Sequence, residues 1–167
     1  WPVQDILSYL KAAAGDRGAI ESVINRPNRY MSRAVTFEAK QLAERTGCDL
    51  LSAIGQSPFL RSWQLRPIED LQDHLSRLSR LNAPDAIAYV RSIIGYDDYI
   101  KEYCAREGGA SDEIFSLLSE VERTTEDVPI LAFLAQVESF SAQGARNAPD
   151  GLLVEGRDWF IASDGRI

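Results

Sequence analysis

Three arginines gathered around one proline mark the segment of this chain whose residue types could do chemistry. The segment reads Ile24-Asn25-Arg26-Pro27-Asn28-Arg29-Tyr30-Met31-Ser32-Arg33. Ser32 is a favourable helix N-cap, and the free amides at a helix N-terminus attract anions. Such an arrangement grips phosphate without reading a base sequence. The segment therefore predicts a phosphate-binding loop, and its candidate contacts are Arg26, Asn28, Arg29, Ser32 and Arg33.

A second interpretation of this loop is a solvated surface segment whose arginines pair with acidic residues of the same chain. Isolated surface ion pairs contribute little to stability or function, so this interpretation needs no ligand. Lys11 and Arg17 lie upstream of the loop and are weaker phosphate candidates, on charge alone.

The remaining ionisable residues do not predict a catalytic site. His74 is the single histidine, and its place between Leu71 and Leu78 on a predicted helix favours a surface or boundary position. The carboxylate pairs Asp97-Asp98 and Glu126-Asp127 precede or open predicted helices, where the helix dipole stabilises negative charge. The chain has neither G-x-x-x-x-G-K-[ST] nor G-x-G-x-x-G. We therefore expect no catalysis, no nucleotide binding and no metal site in this chain alone.

Charge is distributed unevenly along the chain, whose formal net charge is -7. Residues 1–66 hold nine Lys and Arg against six Asp and Glu, whereas residues 67–167 hold nine against nineteen. Because nucleic-acid affinity scales with the number of phosphates that are neutralised, only the first part is suited to phosphate.

Length and composition predict one soluble domain of 167 residues. The missing initiator Met suggests a domain taken from a larger protein, which we expect to be cytoplasmic, and we expect the domain by itself to be monomeric. No apolar run is long enough to span a membrane, and Trp1 begins the chain without the charged leader of a signal peptide. Cys48 and Cys104 lack metal-site spacing, so we expect two packing residues in a reducing compartment.

Helices must position the arginine loop on both sides. Apolar spacing predicts a helix over residues 3–14, and Asp16 is expected to cap a second helix that ends near Ile24. Pro27 then enforces a loop, because proline lacks an N–H and disfavours a helical residue before it. Ser32 is expected to cap a third helix that Gly47 ends.

The rest of the chain up to Gly144 also has helical periodicity. A Phe59-Leu60-Trp63-Leu65 cluster is expected in the core, ahead of a helix that opens at Pro67. The fold class is therefore all-α, with eight or nine helices over residues 1–145. Residues 146–167 form a separate tail, in which Leu152-Leu153-Val154 and Trp159-Phe160-Ile161 favour a short β-hairpin. The later predicted helices cover 49–54, 67–81, 84–94, 97–106, 111–124 and 128–143.

Several motifs resemble the accessory helical domain of UvrD/Rep/PcrA-type superfamily 1 DNA helicases. That domain begins D-I-L-A-Y-L, followed after a gap by I-N-x-P-x-R-G-I-G. The corresponding residues here are Asp5-Ile6-Leu7-Ser8-Tyr9-Leu10 and Ile24-Asn25-Arg26-Pro27-Asn28-Arg29. Ile94-Gly95-Tyr96-Asp97-Asp98-Tyr99-Ile100 is similar to a later G-Y-x-x-Y/L segment, and Thr125-Glu126-Asp127 before Ile130-Leu131-Ala132-Phe133-Leu134 is similar to the start of the last helix. These motifs occur in the same order as in the family, and together they cover residues 3–145.

This chain departs from the family at two places. Tyr30-Met31-Ser32 replaces the G-I-G of many members, which alters a tight glycine turn. The T-x-H-x-x-K-G-L-E motif, with which the family returns to its motor domain, does not occur in residues 146–167. The tail therefore stands outside the resemblance.

The resemblance implies a regulatory DNA-binding domain of a DNA-repair helicase. Its partners would be duplex DNA near a single-strand junction and the motor domains of the same chain, which would use ATP and Mg²⁺. This domain itself would need no cofactor. One alternative is an acidic helical protein–protein interaction module that docks a basic partner through residues 67–127. A small stand-alone α-helical enzyme is a third interpretation, which no acid/base spacing supports.

Overall fold

The computed structural model describes the backbone of residues 1–147 and the side chains of residues 1–141. Within residues 1–147 there are nine α-helices and no strand, which confirms the predicted all-α fold class. The strands predicted for the C-terminal hairpin lie outside the described residues. The helices are α1 (Pro2–Ala13), α2 (Arg17–Val23), α3 (Arg33–Thr46), α4 (Leu50–Gly55), α5 (Ser62–Leu78), α6 (Ala83–Ser92), α7 (Tyr96–Glu107), α8 (Ser111–Thr124) and α9 (Ile130–Asn147).

The chain divides into two compact units after Ala135. The first unit, Trp1–Ala135, contains the arginine loop and the helices that position it. The second unit begins at Gln136, within α9. The loop therefore lies wholly within the first unit.

Helix α1 is the central element of the first unit. It packs against α2, α5, α6 and α8, and Ile6, Tyr9 and Leu10 on it are almost completely buried. The polar residues Asp5 and Ser8 of α1 are also buried. A helix that is covered on most of its faces must satisfy its polar groups internally. The buried polar residues of α1 are therefore available to hold neighbouring loops.

The predicted caps next to the arginine loop are confirmed. Asp16 accepts from the amides of Gly18 and Ala19 at the start of α2, and Ser32 accepts from Val35 at the start of α3. Gly47 ends α3 in the left-handed conformation that glycine adopts readily. Local sequence thus defines both edges of the loop.

Helix α5 differs from its prediction, because it begins at Ser62 and contains Pro67 inside its second turn. Pro67 has no N–H to donate to the carbonyl of Trp63, a loss that the helix tolerates near its N-terminus. The predicted burial of the Phe59-Leu60-Trp63-Leu65 cluster is wrong, since Phe59, Trp63 and Leu65 are all exposed. This early start places Trp63 on the first turn of a helix at the protein surface.

The two cysteines and His74 lie in the environments that the sequence predicts. Cys104 is buried and Cys48 is partly buried, and both are free thiols. His74 is partly buried, and its Nδ1 lies 3.0 Å from the hydroxyl oxygen of Tyr89.

Among the described residues, no helix is long and apolar enough to cross a membrane. No group of His, Cys, Asp and Glu in that part of the chain is arranged to hold a metal.

Stability should decrease in mildly acidic solution because of His74. Burial lowers the pKa of His74 below its usual 6.5, and the positive charge of Arg29 lowers this pKa further. The unfolded chain therefore binds this proton more readily, so the stability present above pH 6.5 is lost as the pH falls toward the folded-state pKa. Urea unfolding at about pH 7.5 and pH 5.5 should show a smaller loss for His74→Gln than for the wild type. Equal losses in the two proteins would contradict this assignment.

Candidate nucleic-acid interface

Arg29 is buried and holds the arginine loop from inside. Its guanidinium donates to the carbonyls of Val23, Ile24 and Pro27 at 3.0, 3.3 and 3.2 Å, and to the Tyr9 hydroxyl at 3.0 Å. Val23 and Ile24 end α2, where carbonyls lack intrahelical donors and a cation is favourable. In this arrangement, the Arg29 charge stabilises the end of α2 and the path of the loop rather than facing solvent.

Tyr9 connects the loop to the central helix. Its hydroxyl donates to the Arg26 carbonyl at 2.7 Å while accepting from Arg29. Burial raises the pKa of Tyr9, an effect that Arg29 partly opposes. The phenol therefore keeps its proton at neutral pH and remains a donor to the loop backbone.

The Arg26 side chain is bonded to a buried carboxylate but remains partly exposed to solvent. It donates to Asp5 Oδ1 at 2.5 Å, and the side chains of Arg26 and Asp5 are 47% and 3% exposed. The other Asp5 oxygen accepts from the Tyr96 hydroxyl at 2.7 Å. Burial, followed by the bond to Asp5, raises the pKa of Tyr96 far above its usual value. Arg26 can therefore face an anion with half of its side chain, but its charge is already balanced by Asp5.

Side-chain hydrogen bonds shape the tip of the loop around Tyr30. Asn25 forms two bonds with the Met31 backbone, at 2.8 and 2.9 Å. Asn28 Oδ1 accepts from the Tyr30 amide at 2.8 Å, and Tyr30 has a φ of 59°. A non-glycine residue in this left-handed region costs about 1 kcal/mol, so the surrounding bonds must hold it there. The tip thus keeps a left-handed turn residue although glycine is absent.

Ser32 and Arg33 are the predicted contacts that lie open at the start of α3. Both are exposed, and the Ser32 hydroxyl is engaged as the helix cap. Arg33 forms no ion pair with any described residue. Of the three arginines in the loop, Arg33 is therefore the one with an uncommitted charge.

A second segment, which we did not predict, meets the loop at Tyr30. The Gln64 side chain donates to the Tyr30 carbonyl at 2.6 Å and accepts from the Arg61 amide at 2.9 Å. One side-chain amide thus connects the tip of the loop to the first turn of α5. Arg61 is exposed, as is Arg66 on the next turn of the same helix.

Neither segment has an acidic residue of its own, which is unusual for this acidic chain, although Glu38 accepts from Ser57 and Asp5 pairs with Arg26. Residues 22–37 contain three arginines and residues 50–68 contain two, and neither range contains Asp or Glu. Arg33, Arg61 and Arg66 have no ion-pair partner among residues 1–141. Two helices, α3 and α5, also begin here at the exposed residues Arg33 and Ser62, and the first amides of a helix have no acceptor within it. We call Arg26, Tyr30, Arg33, Arg61, Trp63 and Arg66 the arginine surface.

The arginine surface has exposed aromatic rings beside its charges. Tyr30 and Trp63 are 66% and 54% exposed, and their ring centroids lie 5.9 Å apart in an edge-to-face arrangement. The sequence signal that could have identified the α5 residues is the acid-free run over residues 50–68. Such a surface offers both positive charge and flat apolar rings to a ligand.

Comparison with known proteins supports a relationship to helicases at low identity. Over 143 residues, the chain is 23% identical to "Putative ATP-dependent DNA helicase YjcD" of Bacillus subtilis (strain 168). The match covers 84% of this chain but only 18% of that protein. No family model matches the chain, and no solved structure matches it. The chain is therefore similar to one segment of a much longer protein that is described as a DNA helicase.

Proposed function

We propose that this chain is a DNA-binding regulatory domain of an ATP-dependent DNA helicase of the UvrD/Rep/PcrA type. The observation that carries the proposal is the meeting of two acid-free, arginine-containing segments at the contact between Gln64 and Tyr30. The similarity to a segment of a helicase, together with the motifs shared with the accessory domain, supports DNA as the anion.

The residues of the surface have different roles in this proposal. Arg33, Arg61 and Arg66 bind phosphates of duplex DNA near a single-strand junction, and Arg26, whose charge Asp5 already balances, assists only with its exposed half. Ser32 keeps the start of α3 in place, so that its first amides can approach the backbone. Asn28 shapes the turn, and Arg29 positions the loop without reaching the DNA.

ATP hydrolysis belongs to other parts of the parent enzyme in this proposal. The chain spans 18% of the helicase that it resembles and has no nucleotide-binding motif of its own. ATP and Mg²⁺ would bind in motor domains of the same polypeptide. By contacting the duplex ahead of those motor domains, this domain would promote or restrain unwinding in the cytoplasm.

A salt series with a labelled DNA tests the proposal directly. The 167-residue chain should bind a duplex that carries a single-stranded tail at about 50 mM salt. Three phosphate contacts predict a log-log slope of about -2.7, so affinity should fall about 40-fold by 200 mM salt. Absence of binding at the lower salt concentration would contradict the proposal and favour the acidic protein-interaction module.

A further inference from the structure

We propose that Tyr30 and Trp63 form a stacking platform for an unpaired base at the junction between duplex and single strand. This inference rests on the proposed DNA-binding function and names the nucleotide that the surface recognises. Phosphate contacts would hold the strand, and the two rings would take up the first base outside the duplex.

The arrangement of the two rings leaves room for a base. Their planes are 68° apart at a centroid distance of 5.9 Å, so one ring meets the other with its edge. An edge contact leaves ring faces uncovered, and more than half of each residue is exposed. Nucleobases stack on open aromatic faces of this kind without regard to base identity.

The backbone that carries each ring is held in place before any ligand arrives. The Tyr30 amide donates to Asn28, and the Tyr30 carbonyl accepts from Gln64 at 2.6 Å. Trp63 stands on the first turn of α5, next to the same Gln64. Because the backbone of each residue is already fixed, stacking would cost little further backbone entropy.

Charge complementarity favours a nucleotide over an apolar protein segment. Tyr30 lies three residues before Arg33, whereas Trp63 lies between Arg61 and Arg66 on the α5 side. These three guanidinium groups have no acidic partner among residues 1–141. A nucleotide supplies both a flat π-face and a negative phosphate, which an apolar peptide does not.

The test compares two tailed duplexes of equal charge. One carries an ordinary single-stranded tail, and the other has abasic sites at the first tail positions. Trp63→Ala should weaken binding of the ordinary tail about 10-fold, which corresponds to about 1.4 kcal/mol. It should change binding of the abasic tail by less than about 2-fold, because that tail has no base to stack. Trp63→Phe should restore most of the affinity.

A matched control and two further outcomes make the test decisive. Ile93→Ala removes another exposed apolar side chain of the first unit, at the end of α6, and should not alter binding to either tail. An equal effect of Trp63→Ala on both tails, including no effect, would overturn the stacking platform and leave the phosphate-binding proposal intact. If the wild type shows no salt-dependent binding to either DNA, both proposals fail together.

Discussion

Replacing Arg33 and Arg61 together with glutamate should weaken duplex DNA binding by about 100-fold at 50 mM salt. Each substitution removes one phosphate contact and adds one repulsive charge, and a tenfold loss for each corresponds to about 1.4 kcal/mol. Both side chains are exposed and form no ion pair with described residues, so folding should be unaffected. Fluorescence anisotropy of a labelled duplex measures the loss, and circular dichroism checks the helical content.

The matched control reverses the charge at two arginine positions elsewhere in the first unit. Arg77→Glu with Arg80→Glu produces the same change in net charge, and both residues are exposed. Arg77 lies fourteen residues beyond Trp63 on α5, which is about 21 Å along the helix. The control should lose less than about 5-fold in affinity, through the weaker overall field. A loss as large as that of Arg33→Glu/Arg61→Glu would assign binding to net charge and not to the arginine surface.

Arg29→Ala should destabilise the protein by about 3 kcal/mol without removing a DNA contact. The substitution deletes a buried guanidinium that donates to the carbonyls of Val23, Ile24 and Pro27 and to the Tyr9 hydroxyl, and only the Val23 carbonyl keeps another donor, the Arg26 amide. Hydrogen bonds from a charged donor are worth about 1.5–3 kcal/mol, and relaxation of the loop will recover part of the loss. Urea unfolding followed by circular dichroism gives the change in the free energy of unfolding.

Two other variants distinguish the structural role of buried Arg29 from that of exposed Arg33. Arg33→Ala should change the free energy of unfolding by less than about 0.5 kcal/mol, as expected for a surface residue without partners. Arg29→Lys keeps the charge but not the forked geometry, so it should recover only part of the stability. Wild-type stability in Arg29→Ala would mean that Arg29 does not hold the loop.

Local features of the arginine loop could be predicted from the sequence because neighbouring residues determine them. Ser32 and Asp16 cap helices through bonds to amides two or three residues away, and Gly47 ends α3 by its own backbone freedom. Pro27 excluded a helix across the loop for the same local reason. These elements placed the loop correctly between α2 and α3.

The orientation of Arg29 could not be predicted, because its partners are distant in sequence. The hydroxyl that receives its guanidinium belongs to Tyr9, twenty residues earlier, and only the packing of α1 against α2 brings the two together. Without that packing, three arginines in one loop are equivalent. The structure distinguishes a buried Arg29, an ion-paired Arg26 and an uncommitted Arg33.

The contribution of α5 was missed because Pro67 suggested a helix start. Proline is favourable at the first helical position, but here it lies five residues beyond Ser62 inside the helix. The earlier start makes Trp63 a surface residue and places Arg61 at the N-cap position of α5. The contact between Gln64 and Tyr30 spans 34 residues, so no local pattern could have revealed it.

The most direct test of the account is the salt dependence of duplex binding by the wild type and by Arg33→Glu/Arg61→Glu. A plot of the logarithm of affinity against the logarithm of salt concentration counts phosphate contacts, with a slope of about -0.9 for each. We expect a wild-type slope of about -2.7 and a variant slope less steep by about 1.8. Equal slopes for the two proteins, or a wild type that binds DNA without salt dependence, would contradict the claim that the arginine surface holds DNA phosphates.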